Sequence, residues 1–365
     1  MTAAFKPPDP SLSPADALAT IARHAQEVDA GIRNLSHDMA LMVRSGMLGD
    51  LCDPRTPVIE RVTLLRRIGR ANLSVGRLVE GHMNALRLIA VYGTSAQRDA
   101  HFAAASRGVI YGVWGANGAK PLEGAHSPDA ALGLTGGKSF TSGLGTIGCA
   151  LVTAATPDGT QMALAPVEAG ERADASSWNT TGMRATASGS YDFTGIDAEP
   201  LGQPCDYERE PHFQGGVWRY VALHVGGLEL LAEEVRSAVA AFGDGATEAQ
   251  LHRVARIAGL AHGARLLVED AAARIEAPGA GPSEVALVLM AREAVEAACV
   301  EGISIADRAL GARSFAVGQP VERVRRDLAF FLRQADLDGK LRLAGKTLCD
   351  AETGIGETWG PLWSS

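Results

Sequence analysis

The sequence predicts an α+β multidomain protein with an N-terminal α-helical domain, a central small β-sandwich or barrel domain and a C-terminal four-helix bundle. Three observations predict it. A Gly-, Thr- and Ser-rich middle third carries short apolar pieces between turn residues. Long Ala/Leu/Arg/Glu-rich segments with helical spacing flank it on both sides. A length of 365 residues exceeds one ordinary core. The expected domains are 1–107, 108–210 and 211–365. A β insert between helical domains makes walls of different curvature, and their seam suits a flat cofactor.

The first dozen residues hold three prolines and few apolar groups, so they are expected to be loosely held. From Ser13 to about Leu51 the pattern is helical, and Ser13-Pro14-Ala15-Asp16 starts a helix well: a serine cap, a proline in the first turn and a nearby acid. A second helical stretch covers Pro57–Val91. Tyr92-Gly93-Thr94-Ser95 stops it and caps a helix over Ala96–Ala105. From Val109 the pattern turns to β. Val109–Trp114, the hairpin-type glycines of Gly133–Phe140, a strand pair across Pro157-Asp158-Gly159 and a last strand at Ser188–Ile196 are expected. Helix returns near Gln214. Trp218–Phe242, Ala246–Ile275, Pro282–Leu310 and Val321–Leu332 read as four antiparallel helices separated by glycine-rich turns.

Composition excludes several classes. The net charge of −8 offers no general basic surface for nucleic acid. The arginines of Arg323–Arg326 read as a solvated helix face or an ion-pair site. No apolar run reaches the roughly 20 residues of a membrane span. The N-terminus lacks the basic-then-apolar layout of a signal peptide, so a cytoplasmic location is expected. Five scattered cysteines without C-x-x-C argue against a disulfide framework or structural zinc, and nine histidines show no H-E-x-x-H. No metal is expected.

Four stretches, in order, carry a family resemblance. They are Tyr92-Gly93-Thr94-Ser95-Ala96-Gln97-Arg98, Gly137-Lys138-Ser139-Phe140-Thr141-Ser142-Gly143, Gly182-Met183-Arg184-Ala185-Thr186 and Pro320-Val321-Glu322-Arg323-Val324-Arg325-Arg326-Asp327. Together they resemble the G-T-x-x-Q-K/R, G-x-K-x-x-I-T-N/S-G, G-M-R-x-T/S and P-V-x-R-x-x-R-D segments of the acyl-CoA dehydrogenase superfamily, over nearly the whole chain. The resemblance implies an acyl-CoA dehydrogenase-like fold. It implies FAD bound between the β domain, the bundle and a neighbouring subunit, a homodimer or homotetramer, and oxidation of an acyl-CoA. In that chemistry a carboxylate removes a proton while hydride passes to the flavin.

The departures are specific. Ala335 falls where the family's catalytic glutamate is expected, and Trp218 precedes Arg219 where a subgroup places its base. Asp336, next door, is the candidate substitute. Trp114 replaces a threonine beside the flavin ring and either stacks on the ring or fills core space. Thr141 and Ser142 keep hydroxyls for the ring, or serve ordinary strand-end bonding. The cation before Phe242-Gly243 is missing. Gln250 occupies the family glutamine position. Gly311 and Arg313 stand in a degraded adenine-side loop, where Arg313 is either a phosphate ligand or a surface bundle residue. Arg184 is expected to tie the β domain together, and His82 and His101 to be satisfied surface or core histidines.

The main functional expectation is therefore an acyl-CoA dehydrogenase-like, FAD-dependent oxidoreductase acting on an acyl thioester, its usual glutamate out of position. The alternatives are a flavin-dependent monooxygenase, which needs no α-proton base, or an inactive acyl- or flavin-binding homologue. The electron acceptor is not legible. The bundle's Ala/Leu faces suit close contact with a second copy.

Overall fold

Ser13 opens the first helix as its chemistry dictates: its hydroxyl accepts the Asp16 amide at 3.1 Å, and Pro14 occupies the first turn. The computed structural model describes residues 9–126, 131–168, 170–333 and 336–360. Residues 1–8 and Ala335, both subjects of expectation, lie outside these. Asp9, just inside, is tied down through its carboxylate by Arg44 at 2.7 Å.

Six helices come first: α1 (Pro14–Asp29), α2 (Ser36–Arg44), α3 (Met47–Cys52), α4 (Val58–Ala71), α5 (Leu73–Tyr92) and α6 (Ser95–Ser106). Thr94 and Gln97 form a reciprocal capping box at the start of α6, satisfying two amides that a helix start leaves unpaired. The strands follow: β1 (Tyr111–Trp114), β2 (Glu123–His126), β3 (Leu132–Thr135), β4 (Gly137–Ser139), β5 (Cys149–Thr156), β6 (Gly159–Pro166), β7 (Ala173–Asp174), β8 (Ser190–Asp192) and β9 (Asp197–Leu201). Helices resume with α7 (Trp218–Ala240), α8 (Glu248–Ile275), α9 (Pro282–Leu310), α10 (Pro320–Phe331) and α11 (Leu337–Cys349).

The chain divides into two compact units. The first comprises residues up to 55, 74–180 and 184–209; the second comprises 56–73, 181–183 and 210 onward. In the first unit, β5, β2, β3, β9 and β6 pair in a closed ring, and β1 adds to β5 in parallel with Tyr111 opposite Cys149. Closure removes the exposed edges that so short a sheet would otherwise present. The β5–β6 hairpin turns at Pro157-Asp158-Gly159 as expected, pairing Thr156 with Gly159. Helix α5 covers the ring: Leu86 and Ile89 are buried with Tyr111, Leu151, Leu164 and Leu201. Each such side chain contributes roughly 1.5–3 kcal/mol.

Two strand expectations change. The Gly133–Phe140 glycines make no hairpin tip. Gly136, at φ +102°, turns the chain out of the ring so that β4 joins β8 and β7 in a separate three-stranded sheet. Only a residue without Cβ fits there, because a side chain would overlap the Pro121 carbonyl. The expected last strand, Ser188–Ile196, is shorter, and β9 follows it. Pro200 hid β9. As an acceptor-only residue opposite Ala163 it still fits the ladder between β3 and β6.

The second unit holds the four expected long helices, α7 to α10, with α11 and α4 beside them. Glycine permits the close crossing of α4 on α7: a Cβ on Gly69 would overlap the Leu223 carbonyl, and one on Gly226 the Arg66 carbonyl. Arg66 then reaches Glu229 and Glu269 across the crossing. No helix is long and apolar enough to cross a membrane among the described residues.

Candidate functional site

The hydroxyl-bearing wall is built where β4 ends. Phe140 takes a left-handed conformation at φ +54° and is 62% exposed, with its ring edge-on to Trp178 at 6.1 Å. A bulky residue in that region costs of order 1–3 kcal/mol, and such strain gathers at working sites. Thr141, which follows, is fully buried and Ser142 is half-buried. Thr141 donates its amide to the Gly189 carbonyl, and Gly143 donates to Thr186. Three hydroxyls are thereby aligned: Thr186 Oγ1 lies 2.9 Å from Ser188 Oγ, which donates to Ser142 Oγ at 2.8 Å. Ser142 accepts there, at the end of this chain of hydroxyls. Thr141 is fully buried, and its hydroxyl has no partner among the described residues. An unmet buried hydroxyl costs about 1–3 kcal/mol, and an incoming acceptor would relieve it.

Trp114 supports this wall from behind. Its indole is 2% exposed, packs against Tyr191 and Phe193, and donates to the Ser142 carbonyl at 3.1 Å. Its ring is packed within the core. Lys138 is buried beside it. The ammonium donates to the Gly115 carbonyl, the Asn117 side chain and the Thr153 hydroxyl at 2.8–3.2 Å, while burial lowers its pKa to about 8. Arg184, expected to tie the β domain together, instead reaches the N-terminal helices: its guanidinium pairs with the buried Asp29 at the end of α1. His82 accepts the Tyr111 amide through Nδ1, and burial pushes its pKa down to about 3. His101 bridges the Tyr111 hydroxyl and Glu199.

In the second unit, the R-V-R-R-D stretch forms ion pairs. Arg325 grips Asp307 with two bonds of 3.0 Å, and Arg326 holds Glu322 and the Thr181 carbonyl. Asp327 accepts the Met183 amide at 2.7 Å. The G-M-R and P-V-x-R-x-x-R-D stretches thus meet at Met183, which takes φ +54°. Gln250 closes a capping box with Thr247 at the start of α8; its carbonyl is committed there. Gly311 ends α9 at φ +59°, and Arg313 in the following 3-10 turn is exposed. Because α8 and α9 run antiparallel, these three residues share one end of the bundle. Arg313 makes no ion pair among the described residues.

Trp218 is buried. Asp336 is exposed at φ +54°, with its carboxylate over Gly339 in the first turn of α11.

Solved structures share this architecture. FMN-bound TdsC from Paenibacillus sp. A11-2 superposes with a TM-score of 0.79 at 20% identity, over 91% of this chain and 95% of that one. Methanesulfinate monooxygenase MsuC from Pseudomonas fluorescens gives 0.77 at 18% identity, over 96% and 99%. Butyryl-CoA dehydrogenase from Megasphaera elsdenii gives 0.77 at 14%, over 92% and 98%. This chain has the acyl-CoA dehydrogenase fold. At these identities the likeness is one of fold. No protein-family model matches the sequence, and no curated protein matches it.

Within the acyl-CoA dehydrogenase fold, the structure adds one acid that the sequence did not reveal at the Trp218–Arg219 position. Glu276, at the end of α8, accepts from Trp218 Nε1 at 3.1 Å and from Arg219 at 2.7 Å. Nothing in the linear sequence joins residues 218 and 276; only the antiparallel α7–α8 packing does. Held by a guanidinium and an indole, that carboxylate anchors the start of α7.

Proposed function

We propose that the protein is a flavin-dependent oxidoreductase. The observation that carries the reading is the unpartnered, buried Thr141 hydroxyl, next in sequence to the Ser142 hydroxyl that accepts from Ser188. Two donors at adjacent positions match the acceptor edge of an isoalloxazine ring, so the residues present fit the group. A bound flavin supplies the redox chemistry, accepting hydride from an acyl thioester or, when reduced, activating dioxygen. Thr141 and Ser142 orient the ring, Phe140 and Trp178 offer apolar cover, and Trp114 with Lys138 stiffens the wall behind. The family resemblance assigns the phosphate and adenine end to Gln250, Gly311 and Arg313. Of those three residues only Arg313 carries a charge, and the glutamine carbonyl already caps a helix. We propose that FMN suffices and that FAD gains little from its adenylate. The FMN-bound state of TdsC supports this reading.

Oxygenation by reduced flavin is favoured over dehydrogenation of an acyl-CoA. The observation is the missing base: Trp218 and Ala335 carry no carboxylate, and Asp336 faces its own helix. Self-association is part of the proposal. A surface groove of about 530 Å³ between α8 and α9 is floored by Gly259, Gly263, Ala264, Ala294 and Ala298. Arg256 and Glu301 stand at its rim, so a second copy related by a two-fold axis could exchange these charges.

Flavin titration followed by two assays tests the reading. FMN and FAD are expected to bind with affinities within about tenfold of each other. Oxygen consumption with externally reduced flavin is expected, and anaerobic bleaching by acyl-CoA is not. Bleaching that disappears in Asp336→Asn would instead establish the dehydrogenase with Asp336 as its base. Absence of flavin binding would leave an inactive homologue.

A further inference from the structure

The helical hairpin at the start of the chain holds a second group of chemistry-bearing side chains, remote in sequence from the hydroxyl wall. His24 lies on α1, and His37 and Asp38 lie in the first turn of α2. One ring nitrogen from each histidine and one carboxylate oxygen of Asp38 fall within 4.8 Å of one another. The two imidazoles stand edge to face, with centroids 5.5 Å apart.

Asp38 makes the arrangement unusual. Its side chain is fully buried, yet among the described residues only Oδ1 is bonded, to His24 Nδ1 at 2.9 Å. Oδ2 is buried and has no partner among the described residues. Burial raises the carboxyl above its ordinary range, while His24, His37 and Arg33 oppose that shift. A simple His24–Asp38 pair therefore leaves one oxygen and the second imidazole unused, at a cost of several kcal/mol for a buried charge.

We propose that His24, His37 and Asp38 bind a divalent first-row metal ion of the zinc class. Two imidazoles and one carboxylate are the donors such an ion selects, whereas calcium and magnesium need mostly oxygen. Metal–nitrogen and metal–oxygen bonds of about 2.0–2.2 Å place neighbouring donors about 3–3.5 Å apart. Closing from the present spacing requires His37 to turn, and His37 is exposed and able to do so. Water fills the remaining positions. The positive end of α2 opposes a cation by about 0.3–1 kcal/mol, far less than three ligand bonds supply. The ion would staple α1 to α2 across residues 30–35, where Ile32 is 78% exposed. No spacing motif announces the site, because its ligands straddle a loop.

The test uses the full-length, tag-free chain stripped with EDTA. Calorimetric titration with zinc chloride, and with cobalt chloride followed by its visible spectrum, is expected to show one equivalent bound, with a zinc-dependent rise in Tm. His37→Gln leaves the His24–Asp38 bond in place and is expected to weaken zinc about tenfold or more, with unchanged helical circular dichroism. His24→Gln is expected to do the same. These two variants decide the matter without Asp38→Asn, whose altered buried group can unfold the hairpin by itself. His252→Gln, at an exposed position on α8, is expected to bind as the parent does. No saturable binding, or equal affinity in His37→Gln, overturns the proposal and leaves an ordinary buried His–Asp pair.

Discussion

At Thr141 a single oxygen atom separates two roles. If the hydroxyl exists for a ligand, the ligand-free protein carries a buried donor that valine would not. Thr141→Val is therefore expected to leave the apo protein equally stable or up to about 1–2 kcal/mol more stable in urea unfolding, and to weaken flavin binding about tenfold. A variant that lost stability and kept its affinity would make Thr141 a packing residue. His82 and His224 belong to the same scale. Both are buried and held neutral, with pKa values pushed from 6.5 down to about 3 chiefly by loss of solvation. Between those values the unfolded chain binds protons that the folded one does not. Their contribution is intact above pH 6.5 and is lost as pH falls toward 3; each tenfold difference in proton affinity between the two states is worth about 1.4 kcal/mol. Tm measured from about pH 7 to about pH 4 is expected to fall steeply, and less steeply in His82→Asn, whose Oδ1 can still accept the Tyr111 amide.

At the scale of elements, the crossing of α4 on α7 depends on two missing Cβ atoms. Gly226→Ala would drive a methyl into the Arg66 carbonyl and push the Arg66 fork away from Glu229 and Glu269. The expected loss is about 1–3 kcal/mol, read as a lower urea midpoint at unchanged slope. A neutral result would mean that the helices move apart without cost. Helix ends were legible in the sequence because capping is local: Ser13 with Asp16, and Thr94 with Gln97, act within one turn. Strand β9 was not, since the ladder it joins is what defines it.

At the scale of the whole molecule, the groove of small residues between α8 and α9 offers a close approach to a second helix pair. Gly263→Glu would place an unpaired charge on its floor. Sedimentation is expected to show the parent as a dimer or larger and Gly263→Glu as a smaller species, with α-helical content unchanged. A monomeric parent would remove the α8–α9 face from the proposal. The division of the chain also belongs to this scale. Helix α4 follows the N-terminal helices in sequence but sides with α7, because glycines on both helices match and their backbones can approach.

The sequence by itself determined the order of helical, strand and helical segments, most helix ends, the β5–β6 turn and the resemblance that pointed to a flavoenzyme fold. These are matters of neighbouring residues and periodicity, which a linear chain displays. Only the tertiary structure decided that Trp114 is core, that Thr141 is left with an unmet hydroxyl, that Glu276 meets Trp218 and Arg219, and that His24 faces His37 and Asp38. Each depends on burial and on partners well beyond the local turn, and desolvation has no signature in a chain until the chain is folded.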